Sequence, residues 1–147
     1  MQPLDLTKQA PRAPREQLGG LVMLPRTIDK LRAGLPGGNI GEYQISPGLS
    51  QWFLDELKLT EERLREVVAS ARDDDEVVTW IHTHTDPSTY AEANKRLSQR
   101  PIDDPADPAG GERRRKRYPV AADHPEMTTI FQMIEADDRD SFPSDLV

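Results

Sequence analysis

Arg26, Asp29 and Lys30 are the residues whose types and spacing most suggest chemistry. On a helix, Arg26 lies one turn from both Asp29 and Lys30, so the three share a face. The loop that follows carries Glu42 and Tyr43 among glycines. Two readings fit this group. In one, Arg26 and Lys30 hold a carboxylate or phosphate, loop N–H groups add donors, and Glu42 or Tyr43 does acid–base or orienting work. In the other, an Arg26–Asp29 ion pair pins the helix to its loop and Glu42 pairs one of the bases. The loop lacks the Gly-Lys-Ser/Thr ending of a P-loop, and no strand pattern precedes it, so no phosphate-cradling motif backs the first reading.

The remaining polar groups are weaker candidates. His82 and His84 are two apart and would point about 200° apart on a helix, so they cannot share a metal there. Asp86 is the nearby carboxylate, yet the spacing predicts no metal site. His84 falls on the Val77–Trp80–Ile81 face and reads as a half-buried, hydrogen-bonded side chain. His124 precedes Pro125 and flanks an expected helix start. Arg113-Arg114-Arg115-Lys116-Arg117, with Tyr118, could contact RNA phosphates; the alternative is a solvated run paired with Asp103-Asp104 and Asp137-Asp138. Ser46-Pro47-Gly48-Leu49-Ser50 is a turn and a helix cap. It is not the Gly-x-Ser-x-Gly elbow of a serine hydrolase.

Composition narrows the classes further. The chain has 147 residues and a formal net charge of −7. That sign repels phosphate backbones and anionic membrane surfaces, so general nucleic-acid and membrane partners are not expected. No apolar run approaches the roughly 20 residues a membrane span needs, and the N-terminus does not read as a secretory signal. There is no cysteine, so disulfides, thiolate metal sites and a Cys nucleophile are excluded, and a reducing cytoplasm is the default setting. Only 5% of residues are aromatic, so the core must come mainly from Leu, Ile, Val and Ala.

The elements that must position these groups read as helices. Residues 1–14 form an extended, Pro-rich arm, whose Leu4 and Leu6 are free to dock. From Arg15, the residues Leu21, Leu24, Ile28, Leu31 and Leu35 recur at helical steps. Gly19-Gly20 breaks the pattern, at about 1 kcal/mol per Gly, and Pro25 removes a donor. The stripe keeps phase through both, which predicts one long, bent first helix. Gly34 to Gly38 ends it, and a Gly-rich loop runs on to Gly48. Thr60, Asp73 and Asp86-Pro87 are helix starts, followed by apolar faces at Leu64–Ala71, Val77–His84 and Tyr90–Leu97. A further start falls at Asp123–Glu126, with Met127, Ile130, Phe131 and Ile134 as the face and fraying from Asp137. The expected fold is all-α, a compact bundle of about five to six helices with a Gly-rich loop after the first long helix. The organisation is an arm over 1–14, a single helical domain over 15–140 and a frayed tail over 141–147.

Several stretches carry a family likeness. They are Leu18-Gly19-Gly20, Met23-Leu24-Pro25-Arg26, Ile28-Asp29-Lys30-Leu31-Arg32-Ala33, Leu35-Pro36-Gly37 and Gly41-Glu42-Tyr43. Glu76-Val77, Trp80, Thr128, Phe131 and Asp137-Asp138 extend it, and Arg12, Pro14 and Arg15 fit at the start. On these residues the chain resembles a bacterial family known as a domain of unknown function, family number 5069. The resemblance implies one compact domain and a bacterial, cytoplasmic origin; it implies no activity.

These readings converge on a soluble, non-catalytic binding or interaction module with no cofactor. The alternative is an enzyme or small-ligand binder whose anion pocket is built from Arg26, Asp29, Lys30, Glu42 and Tyr43. RNA contact through the basic run is a third, weaker reading. Oligomeric state and partner are not legible here.

Overall fold

Gly19 and Gly20 both have positive φ, 61° and 84°. An L-residue with a side chain rarely adopts that backbone, and a two-residue hairpin turn of type I′ requires it at both central positions. The segment expected to open a long helix is therefore a hairpin. Strand β1 (Gln17–Leu18) pairs antiparallel with β2 (Leu21–Val22), with Leu18 opposite Leu21. This overturns the all-α expectation. The apolar stripe kept phase because both residues of β2 are buried, and a fully buried two-residue strand is indistinguishable from a helix face by period.

The computed structural model describes residues 1–143. Most of the tail expected to fray over 141–147 lies outside the described residues. Helix α1 (Leu24–Ala33) starts after the hairpin, with Pro25 in its first turn, where a missing N–H leaves no bond unmade. There is no bend through Pro25, because the helix begins there. After the Gly-rich loop come α2 (Leu49–Leu57), α3 (Glu61–Ser70) and α4 (Asp74–His84). A single 3-10 turn (Pro87–Thr89) leads into α5 (Tyr90–Ser98). The caps are side chains identified in the sequence: Thr60 accepts from Arg63 N–H, Asp73 from Glu76 N–H and Asp86 from Ser88 N–H.

Then follow α6 (Gly110–Arg117), α7 (Pro119–Asp123) and α8 (Ile130–Ser141). Among the described residues there are thus eight α-helices and a small antiparallel sheet, not five to six helices alone. The excess lies in short pieces. Pro119 interrupts the chain between α6 and α7, and neither is long enough to show a 3.6-residue stripe. The last helix starts later than expected, at Thr129. There Thr129 accepts from Gln132 N–H while the Gln132 side chain accepts from the Thr129 N–H, a reciprocal capping box. It also continues through Asp137 to Ser141, held by the buried face of Ile130, Phe131, Met133, Ile134 and Ala136.

The chain divides into two compact units, Met1–Leu97 and the part from Ser98 onward. In the first, α1 is the central element. It packs against β1, α2 and α3, and every residue from Leu21 to Leu31 is buried. The N-terminal arm lies along the loop: Leu6 N–H donates to Asn39 O at 2.7 Å and Asn39 N–H to Leu4 O at 2.9 Å. Gly38 makes that approach possible, since a Cβ there would lie 2.5 Å from Ala33 O and 2.9 Å from Leu4 O. In the second unit, α7 packs on α6 and α8.

Candidate functional site

Arg26, Asp29 and Lys30 all sit on α1, and all are buried: 2%, 4% and 7% exposed. Buried charges need internal partners, and α1 obtains them from three directions. Asp29 turns to Arg12 in the arm. The Arg12 backbone N–H donates to Oδ2 at 2.8 Å, Nε to both carboxylate oxygens at 3.1 and 3.2 Å, and a terminal nitrogen to Oδ1 at 3.0 Å. Arg32 adds a longer contact at 3.9 Å. The expected Arg26–Asp29 pair is therefore replaced by Arg12–Asp29.

Arg12 also reaches the first residue of α4. It donates to Asp74 Oδ2 at 2.7 Å and Oδ1 at 3.2 Å. Burial opposes its charge, but the hydrogen bonds to Asp74 and Asp29 outweigh burial and lift the guanidinium above its already alkaline ordinary value. One side chain thus ties the arm, α1 and α4 together. The forked, planar guanidinium is the group suited to two carboxylates at once.

Arg26 donates to Arg12 O at 3.2 Å and lies 5.4 Å from the centre of the Tyr43 ring, a cation–π distance. Lys30 Nζ donates to Gln44 O at 3.0 Å and to Ser50 Oγ at 3.2 Å, and Thr27 donates to the same Ser50 Oγ at 3.1 Å. The structure thus brings Arg26 to Tyr43, and Lys30 to the residue after it. Tyr43 is half-buried and Glu42 is exposed. Arg12, Ser50 and Asp74 complete the cluster without having been singled out. A buried Asp29 demands a base, but sequence gives no rule for choosing one 17 residues away.

The histidines go to separate places. His82 Nε2–H donates to Gly19 O at 2.8 Å, while Asn94 Nδ2 donates to Gly20 O at 2.8 Å and accepts from Val22 N–H at 3.0 Å. These bonds fasten the hairpin to α4 and α5. His84 is exposed rather than half-buried; its Nδ1–H donates to Trp80 O at 2.8 Å, and its ring stacks on Trp80 at 4.2 Å. Among the described residues, no group of three or more His, Asp or Glu side chains is placed to hold a metal ion. Likewise, no helix is long and apolar enough to cross a membrane.

In the second unit the basic run forms α6. Arg113 pairs with Asp107 at 2.7 Å, Arg115 donates to both oxygens of Asp103 at 2.7 Å, and Arg114 donates to Ile102 O at 2.6 Å. Arg113, Arg114 and Arg115 therefore have acceptors within their own unit.

A mainly helical protein with a glycine-turned hairpin, a buried central helix and an arm-borne arginine hub is the class that these features define. The chain belongs to the family described as Domain of unknown function (DUF5069), whose pattern matches residues 8–140. That stretch includes Arg12, the hairpin, α1, the loop and all of α8 but its last residue. No curated protein matches the chain. The family carries no assigned activity, and the function is unknown.

Proposed function

We propose that the domain is a non-catalytic binding or interaction module, working in a bacterial cytoplasm. The observation that carries this reading is the burial of Arg26, Asp29 and Lys30, each under a tenth exposed and each hydrogen-bonded within the chain. A reaction centre needs groups that meet a substrate, whereas these groups meet the arm and the loop. Their work is to hold the N-terminal arm and the Gly-rich loop on α1, which leaves surfaces as the places where partners are met. The cysteine-free composition supports the cytoplasmic setting.

The test is a thermal-shift and turnover screen of the full chain against phosphate esters, carboxylates, nucleotides and divalent metals. Glu42→Gln and Tyr43→Phe serve as loop variants that leave the buried charges in place. The reading expects no turnover and no ligand shift that depends on Glu42 or Tyr43. A compound that raises the Tm of the wild type by several degrees, and loses that effect in either variant, overturns it in favour of an anion pocket.

A further inference from the structure

The exposed side of α4 carries a groove of about 550 Å³, whose lining includes Trp80, His84, Thr83, Asp75, Glu76 and the cation Arg72. The Trp80–His84 stack is close to parallel, with an interplanar angle of 14°, so each ring covers one face of the other and the outer face of His84 is left open. Two groups already sit against these surfaces, and both are guanidinium groups of the chain itself. Arg63 lies 5.4 Å from the Trp80 ring centre, and Arg72 pairs with Glu76 through an 88% exposed side chain. Asp75 is exposed and lines the same groove. The groove is thus acidic, aromatic and lightly occupied by cations that solvent can reach.

We propose that this groove docks an arginine-bearing segment of a protein partner. A partner guanidinium exchanges with Arg72 on Glu76, gains the second carboxylate of Asp75 and rests its flat face on the outer face of His84, which Trp80 backs. Charge complementarity and shape together favour arginine over lysine. An ammonium is a compact point charge, whereas a guanidinium is planar, forks onto carboxylates and stacks on rings. Arginine and aromatic side chains are also the groups that most often anchor protein interfaces. The groove is an open strip along a helix rather than a closed cavity, which suits a side chain presented by a larger partner. This proposal rests on the reading of the domain as an interaction module and names the surface it uses.

The experiment is fluorescence anisotropy of the full chain with a fluorescein-labelled peptide carrying three arginines spaced by glycine. The same peptide with lysine, and with neutral citrulline, provides the comparison. The arginine peptide is expected to bind, the lysine peptide several-fold more weakly and the citrulline peptide not at all. Trp80→Ala is expected to weaken binding about fivefold. Asp75→Asn, an exposed change that leaves the helix intact, is expected to weaken it by a similar factor. Asp123→Asn, on α7, removes the same charge outside the groove and is expected to change nothing.

Four results overturn the proposal. The citrulline peptide binds equally, or Asp123→Asn weakens binding as much as Asp75→Asn. Free arginine amide competes as well as the peptide, which makes the occupant a small cation. Sedimentation shows a self-association that Asp75→Asn abolishes, which makes it a second copy. None of these touches the Glu42 and Tyr43 screen, so the groove and the module reading fail separately.

Discussion

Arg12→Ala should be among the most damaging single changes outside the apolar core. The Asp29 side chain is 6% exposed and takes three side-chain hydrogen bonds from Arg12. Removing the guanidinium strands a buried carboxylate, which typically costs about 3–5 kcal/mol. The Arg12 backbone N–H and the distant Arg32 still face Asp29, so the lower end applies. The Asp74 pair is about a third exposed on each side and adds at most about 1 kcal/mol. The sum is about 3–4 kcal/mol, or a Tm lowered by roughly 6–15 °C for a chain of this size. Urea denaturation followed by circular dichroism measures it. The variant Arg12→Ala/Asp29→Leu removes the stranded charge as well and should recover part of the loss. The pH dependence has a definite sign. A group whose folded pKa is raised gives stability that is fully present below its unfolded value and is lost only as pH rises through the folded one. For an arginine that window is strongly alkaline, so the Arg12 contribution should be flat between pH 5 and 9. A loss below about 1 kcal/mol, or a double variant no better than the single one, would refute the hub.

Three further outcomes follow from the same geometry. Gly38→Ala should cost about 1–3 kcal/mol, because its Cβ meets backbone oxygens of Ala33 and Leu4. Gly34→Ala, whose nearest neighbour would be Leu31 O at 3.4 Å, should stay within about 0.5 kcal/mol, and equal losses by calorimetry would reject the close approach. Thr129→Ala removes half of the reciprocal cap on α8 and should cost about 1 kcal/mol; an unchanged urea midpoint would show the cap to be idle. Acid should destabilise the fold. Arg72 holds Glu76 below its ordinary value of 4.5, and Arg115 and Ser88 hold Asp103 and Asp86 below 3.8. A lowered folded pKa gives stability that is present above the unfolded value and lost as pH falls through the folded one. The loss should therefore begin below about pH 4.5, and Glu76→Gln should flatten part of it in a circular-dichroism titration.

What the sequence disclosed depended on how far its rules reach. Thr60, Asp73 and Asp86 cap helices because each acts on an N–H two or three residues away, and a short-range rule suffices. The Thr129-x-x-Gln132 box obeys an equally local rule, but Asp123 and Pro125 offer a rival start six residues upstream. The hairpin was also written locally, as two glycines between apolar residues. It lost to periodicity, because Leu21 lies on the same buried side as Leu24 and Ile28, and three-residue steps do not record whether a turn intervenes.

The hub was not legible, and the reason bears on function. Arg26, Asp29 and Lys30 are charged residues interleaved with an apolar stripe, which is the pattern of a site. On a surface helix they would form a solvated face. Here α1 is buried on all sides, so the same residues must be matched by whatever the fold brings to them: Arg12 from 17 positions upstream, Ser50 from 20 positions downstream. A pattern that signals chemistry on an exposed helix signals tethering on a central one. The converse holds on α4. Trp80 and His84 read as members of an apolar face with His84 half-buried, and the fold leaves them lining a groove with Asp75 and Glu76. Burial, which sequence records only through period, decides which polar residues remain available to a partner, and in this chain it favours α4 over α1.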